Sequence, residues 1–151
     1  MTHIIIRKSA RELTLHHEDQ LLVFPIALGF CPVGHKQREG DGKTPEGEYY
    51  VCTRNPESNH HLALGLSYPN IRDAEQALME KAITDVQYGQ IISAQQRGKR
   101  PPWDTPLGGF IMIHGGGTEG DWTQGCIAIE DKQMDPLWAT CPLGTKVTIL
   151  P

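Results

Sequence analysis

The chain opens on three short apolar runs with polar breaks between them. HIIIRKS (3–9), ELTLHHE (12–18) and LLVFPIALG (21–29) are β-branched or apolar and predict strands, with residues 3–18 forming a hairpin that turns at Ser9, Ala10 and Arg11. The polar, glycine-rich GHKQREGDGKTPEG (34–47) predicts a loop, in which Asp41, Gly42, Pro45 and Gly47 mark a tight, shaped turn. EYYVCTRN (48–55) and LALGLSY (62–68) return to strand composition. In IRDAEQALMEKAITDV, Ala74, Ala77, Leu78 and Ala82 fall at helical spacing and predict a helix over about 72–83. Residues 84–108 show no clear period, and GKRPPWDTPLGG (98–109) predicts an irregular loop, because its prolines and glycines forbid regular ladders. FIMIHG (110–115) and CIAIE (126–130) predict short buried strands, and TKVTIL (145–150) a closing strand. Between them DKQMDPLWAT (131–140) predicts a short helix that Asp131 caps.

The sum is a mainly β chain with one or two short helices. Strand and helix do not alternate, so a β-sandwich or barrel-like domain fits better than a doubly wound sheet. With 151 residues and 38% apolar composition, a single domain over residues 1–151 with its own core is expected. The net charge is −4 and Lys and Arg are scattered, which argues against a nucleic-acid partner. No apolar run approaches the roughly 18 residues of a membrane span, so no membrane insertion is expected. MTHIIIRKSARELTL also lacks the charged, apolar and small-residue regions of a signal peptide, so the sequence as written carries no export label.

Chemistry concentrates in HGGGTEGDWTQGC (114–126), where five glycines lie between a base and a thiol. The four cysteines contain no CxxC and resemble no compact disulfide framework. Cys31 and Cys52 read as small buried apolar groups, Cys141 stays open, and Cys126 alone reads as reactive. A thiol with a pKa of about 8.5 is only slightly ionised at neutral pH, so a nucleophilic cysteine needs help from a neighbouring imidazole. A glycine-rich hairpin can turn the chain back so that His114 and Cys126 face one another. Glycines also let backbone N–H groups approach a substrate carbonyl, and the amides of Gly125 and Cys126 are the candidate oxyanion hole. A glycine-rich hairpin is also often only a hairpin, and the spacing alone does not decide.

IMIHGGG, then DWTQGCIAI with an acidic residue and PLW behind it, resembles the L,D-transpeptidase (YkuD-type) family. Its signature is a strand ending in His-Gly, a loop, and Ser/Thr-x-Gly-Cys before an apolar strand. GDGKTPEGEYYV (40–51) is similar to the family's upstream Thr-Pro-x-Gly segment, and ALG (27–29) with HLALGLSYPN (61–70) resembles its murein-remodelling branch. The resemblance implies the L,D-transpeptidase catalytic fold and a peptidoglycan stem peptide or muropeptide as partner. Cys126 would attack the carbonyl of an L,D bond, commonly diaminopimelate–D-Ala, and His114 would be the general base, oriented by a backbone carbonyl of Gly115 or Gly116. Thr123 stands at the family's Ser/Thr position and is placed among substrate-contacting residues. The thioester would pass to an amine or to water. A carbapenem would acylate the same cysteine. The family implies the cell envelope, against the missing leader. One departure stands out: where most members carry arginine two residues after the nucleophile, this chain has Ala128. That leaves hydrolysis without ligation open, as an L,D-carboxypeptidase, endopeptidase or toxin-like amidase. A silent peptidoglycan-binding module is the rival from another class.

The remaining polar residues carry two readings each. His16–His17 and His60–His61 are adjacent pairs whose rings point to opposite strand faces, so no metal site is expected, nor any other cofactor. His61 leads into SYPN and is a candidate for the cleft. Tyr68 and Asn70 are candidates to bind the stem peptide, with a core ring as the other reading of Tyr68. Trp122 is a wall of the site or an apolar plug for the hairpin, and the plug is favoured. Asp121 orients the loop or makes an Asx turn. Lys36, Arg38 and Lys43 meet substrate carboxylates or, as favoured, are merely solvated.

Overall fold

A computed structural model describes residues 1–151. The first two runs form the expected hairpin, β1 (Thr2–Arg7) and β2 (Glu12–His17), and β3 (Gln20–Pro25) pairs with β2. Five further strands follow: β4 (Gly47–Ser58), β5 (His61–Leu66), β6 (Met112–His114), β7 (Ile127–Ala128) and β8 (Lys146–Leu150). All eight make one sheet in the order β3-β2-β1-β8-β4-β5-β6-β7. The β1–β8 and β6–β7 pairs are parallel. The twelve-residue β4 serves both halves, pairing with β8 through Gly47–Tyr50 and with β5 from Val51 onwards. The barrel-like, mainly β reading therefore holds.

Alternation explains the core. Ile4 and Ile6 of β1 stand opposite Leu15 and Leu13 of β2 and Val147 and Ile149 of β8, and all six are essentially without solvent contact. Side chains two apart on a strand share a face, so this register stacks them in one layer. They join Leu64, Leu66, Ile113 and Ile127 from the other half in a single apolar cluster. One core spans both halves of the sheet.

There are three helices, α1 (Ile71–Met79), α2 (Asp85–Gln96) and α3 (Asp131–Thr140), against the one or two expected. The unforeseen one is α2, which buries only Ile91 and Ala94 and so presents almost no periodic apolar face. What starts it is a capping box, with Thr84 accepting from Gln87 N–H and the Gln87 side chain accepting from Thr84 N–H. The helix expected over 72–83 stops at Met79, where Glu80 caps it and Lys81 takes a positive φ of 60°. Asp131 does not cap α3. Glu130 occupies that position without a side-chain bond, and the Asp131 carboxylate instead accepts from the N–H of Gly116. Cys31 and Cys52 are half-buried rather than core residues, whereas Cys141 is wholly buried.

The 34–47 loop is fastened from beneath by a lysine. Lys8 is 2% exposed, and its ammonium donates to Gly34 O, Thr44 O and the Glu46 carboxylate at 2.7–3.1 Å. All three N–H bonds are used, which is what lets a buried charge stand. Burial pulls its pKa down, with the Glu46 hydrogen bond and charge opposing. No helix is long and apolar enough to cross a membrane.

Candidate active site

β6 and β7 lie side by side and parallel, with Ile113 opposite Ile127 and His114 opposite Ala128. One step back along that register sets Cys126 beside Met112, whose N–H approaches the sulfur at 3.4 Å. Cys126 and His114 therefore share a sheet face as diagonal neighbours, a separation of about 7–8 Å between backbones that an imidazole can span. The glycine-rich segment between β6 and β7 is a crossover between parallel strands, not the expected hairpin, and it sets His114 and Cys126 on one face of the sheet.

The His114 ring is buried and held by its own loop. Nδ1 lies 2.6 Å from the Gly115 carbonyl. A carbonyl only accepts, so Nδ1 carries the proton and Nε2 keeps its lone pair. Burial lowers the His114 pKa below 6.5; the Gly115 carbonyl opposes this and the neighbouring His60 adds to it. At neutral pH the ring is a free base.

The thiol is at rest and not ionised. Burial pushes the Cys126 pKa above 9.0, with the Met112 N–H and the Lys36 charge only partly offsetting it. Its S–H donates to the Phe110 carbonyl at 3.2 Å rather than to the imidazole. A preformed thiolate, expected from the pairing of sulfur and imidazole, is thus not the resting state. This arrangement suits proton transfer coupled to attack, in which Nε2 takes the proton as the sulfur leaves Phe110.

Of the two amides expected to form an oxyanion hole, only one is free. Gly125 N–H donates to Thr123 Oγ1 at 3.1 Å, whereas Cys126 N–H makes no hydrogen bond within the chain. Thr123 is itself 4% exposed, and its hydroxyl donates to Cys126 O at 2.7 Å. It closes the loop around the cysteine and is not presented to a substrate.

The loop is clamped from three directions. Thr44 donates to Gly125 O at 2.8 Å, which ties the nucleophile loop to the segment that Lys8 holds. Asp121 receives a two-pronged bond from Arg11 at 2.8 and 3.1 Å and a third from Leu28 N–H at 3.0 Å, which fixes the β6–β7 crossover to the turn after β1. Burial works to raise the Asp121 pKa, but Arg11 and the Leu28 amide outweigh it and hold it below 3.8. Asp131 takes the Gly116 amide at 2.9 Å. A Cβ on Gly115 would overlap this carboxylate and lie 2.8 Å from the His60 carbonyl, so the position next to the base admits only glycine.

Several expected contacts lie elsewhere. Tyr68 is a core ring without solvent contact, its hydroxyl donating to Leu107 O at 2.9 Å. Asn70 caps α1, accepting from Asp73 N–H and donating to Glu48 O. His61 turns to Asp135 on α3 at 2.8 Å. Lys36 is buried, not solvated, and pairs with Asp41 at 3.1 Å. Asp41 also accepts from three backbone amides, and these with Lys36 outweigh burial and keep its pKa low. Trp122 is a wall, not a plug: it is 40% exposed, sets its edge against His114 at 5.7 Å, and donates to Gly117 O.

One residue of the site escaped the sequence reading. His60 stacks on His114, with ring centroids 4.7 Å apart and planes 24° from parallel, and its carbonyl accepts from Gly115 N–H. Its only sequence signal was adjacency to His61, which reads as an exposed pair. No group of three or more His, Cys, Asp or Glu is placed to hold a metal ion.

The family model of the YkuD L,D-transpeptidase catalytic domain matches residues 1–149, and the chain belongs to that family. No curated protein matches it in sequence. Three solved structures share the fold. The helical cell shape determining protein Pgp2 from Campylobacter jejuni is 20% identical with a TM-score of 0.65, over 98% of this chain and 46% of that one. An L,D-transpeptidase from Xylanimonas cellulosilytica is 14% identical with a TM-score of 0.58, over 98% and 59%. LdtMt1, an LD transpeptidase in complex with imipenem, is 11% identical with a TM-score of 0.56, over 99% and 58%. The chain spans about half the length of these proteins.

Proposed function

We propose that this domain is a cysteine peptidyltransferase or hydrolase that cleaves an L,D bond in a peptidoglycan stem peptide, of the diaminopimelate–D-Ala type. The observation that carries the reading is the His114 ring, whose Nδ1 is tied to Gly115 O while Nε2 stays free on the face of Cys126. Nε2 takes the thiol proton as sulfur attacks the carbonyl carbon. The Cys126 N–H meets the oxyanion, a donor worth about 3–4 kcal/mol in hydrolases where one has been removed. Collapse breaks the C–N bond, His114 returns the proton to the departing amine, and a thioester remains on Cys126. An amine or water then resolves it.

Hydrolysis is the better-supported second half. Ala128 is wholly buried and bridges to Ala27, so it supplies no cation where most members carry arginine. The Pgp2 description supports placing the activity in the shaping of the wall. The imipenem-bound relative supports carbapenem as a covalent inhibitor through Cys126.

Incubation with purified muropeptides, followed by mass spectrometry of both protein and products, tests the reading. The expected result is a thioester adduct on Cys126 and a product shortened by one D-amino acid, with no adduct on Cys126→Ala. An unchanged protein mass with unchanged muropeptides would make the domain a binding module. Cross-linked products would shift the second half to ligation.

A further inference from the structure

A cleft of about 750 Å³ opens between α2 and the segment that follows it, next to the candidate nucleophile. Arg97, Arg100, Trp103, Asp104 and Phe110 are on its lining. Three independent observations meet there. Trp103 is only 5% exposed, yet its indole N–H has no acceptor, a condition that folded proteins rarely tolerate. Two surface groups cover that ring, the Arg100 guanidinium at 4.8 Å from its centroid and the Phe110 ring at 4.7 Å. Phe110 itself is 61% exposed and holds a φ of +57°, a conformation that a bulky residue rarely adopts and that collects at functional sites. Its carbonyl also accepts from the Cys126 thiol at 3.2 Å, so Phe110 touches the candidate nucleophile with its backbone and also lines the cleft.

The chemistry of the lining selects the ligand. Two guanidiniums face one carboxylate, Asp104, on a chain of net charge −4. Guanidinium forks match a carboxylate in two-pronged geometry, and an indole N–H can only donate. We propose that this cleft is the subsite for a carboxylate of the peptide under attack, paired with Arg97 and Arg100 and completed by the Trp103 N–H. The assignment rests on Cys126 being the nucleophile of that peptide.

The test reads the orphan donor itself. The full chain, labelled with ¹⁵N, is titrated with N-acetyl-D-alanine and separately with N-acetyl-D-alaninamide, and the Trp103 indole cross-peak, assigned with Trp103→Phe, is followed. The expected result is a saturable downfield shift with the acid alone, weakened about tenfold in R97Q/R100Q. Iodoacetamide labelling of Cys126 should match wild type in that double variant, showing that the thiol site is intact. No shift with the acid, an equal shift with the amide, or undiminished affinity in R97Q/R100Q would overturn the subsite. A chain that binds the acid in this way yet never forms a thioester overturns the acyl-transfer reading and leaves the subsite standing; thioester formation without acid-dependent binding does the reverse.

Discussion

Of the seven imidazoles in this fold, His35 and His114 make the clearest contrast, the first bonded at both ring nitrogens and the second at one. His35, in the loop that Lys8 fastens, accepts from Glu46 N–H at Nδ1 and so carries its proton on Nε2, which donates to Asp73 at 2.7 Å. Asp73 in turn accepts from Tyr49 and from Asn70 N–H, both at 2.9 Å. Burial, reinforced by Asp73, holds the Tyr49 hydroxyl protonated far above its ordinary range. Every valence in that network is filled. His114 is tied at one nitrogen only, and the other faces the strand that carries Cys126. The His35 site looks the more like a catalytic relay, with its aspartate and tyrosine, yet His114 is the ring with an unfilled nitrogen.

The sharpest way to break the comparison is to delete each participant. Cys126→Ala should abolish turnover with the near-UV circular dichroism unchanged, and His114→Ala should cut kcat by at least about a hundredfold, the weight of a general base. His35→Ala should instead cost stability, about 1–3 kcal/mol in denaturant unfolding, because it strands the Glu46 amide and a buried carboxylate. A stable His35→Ala protein as inactive as His114→Ala would erase the distinction.

Proton titration sharpens it next. Protonation of Nε2 removes the base, so kcat/KM falls as pH falls, and burial sets that fall below 6.5. Alkylation of Cys126 should rise with a midpoint above 9.0. A thiol that alkylates with a midpoint near neutrality would restore a preformed ion pair and contradict the resting state described above.

Smaller effects probe the clamps. Thr44→Val removes the hydroxyl that holds Gly125 O and should lower stability by about 1–2 kcal/mol, with a drop in kcat at unchanged KM. An unchanged kcat would disconnect the Lys8 loop from the nucleophile. Asp121→Asn acts at a partly exposed pair, and solvent screening limits the loss to under about 1 kcal/mol. The sign follows from its depressed pKa: the contribution is full above 3.8 and fades as pH falls through the lower folded-state value. Melting temperatures of wild type and Asp121→Asn should therefore differ at neutral pH and converge in strong acid.

Strands were legible wherever alternation governed burial, as in β1, β2 and β8, because period two is written directly in Ile4, Ile6, Leu13, Leu15, Val147 and Ile149. The candidate pair Cys126 and His114 was picked out by glycine density and motif, and the register of β6 and β7 sets both on one sheet face. What stayed hidden depended on contacts distant in sequence. Lys8 reads as a solvated charge until Gly34, Thr44 and Glu46 close over it. His60 reads as half of a surface pair until β5 and β6 align it on His114. Tyr68, open between a stem-peptide contact and a core ring, is the core ring, and its hydroxyl is taken up by the Leu107 and Lys36 carbonyls. Helix α2 hid for a different reason: its start was written in Thr84 and Gln87, but an apolar stripe was sought and it has none.

The place of β8 has a consequence for assembly. It follows every other strand in sequence, yet it stands between β1 and β4, and no other strand bonds the β1–β3 flank to the β4–β7 flank. Without residues 146–150 no continuous ladder joins the flanks, and what remains between them is the isolated bridges Ala27–Ala128 and Gly29–Thr123 with side-chain ties such as Arg11–Asp121. The half that carries Cys126 and His114 is thereby held to the first flank chiefly through β8. Hydrogen exchange on a chain stopped at Gly144 reads this directly: amides of β1 and β4 should lose protection together, and full protection in both would show that the flanks cohere without their keystone.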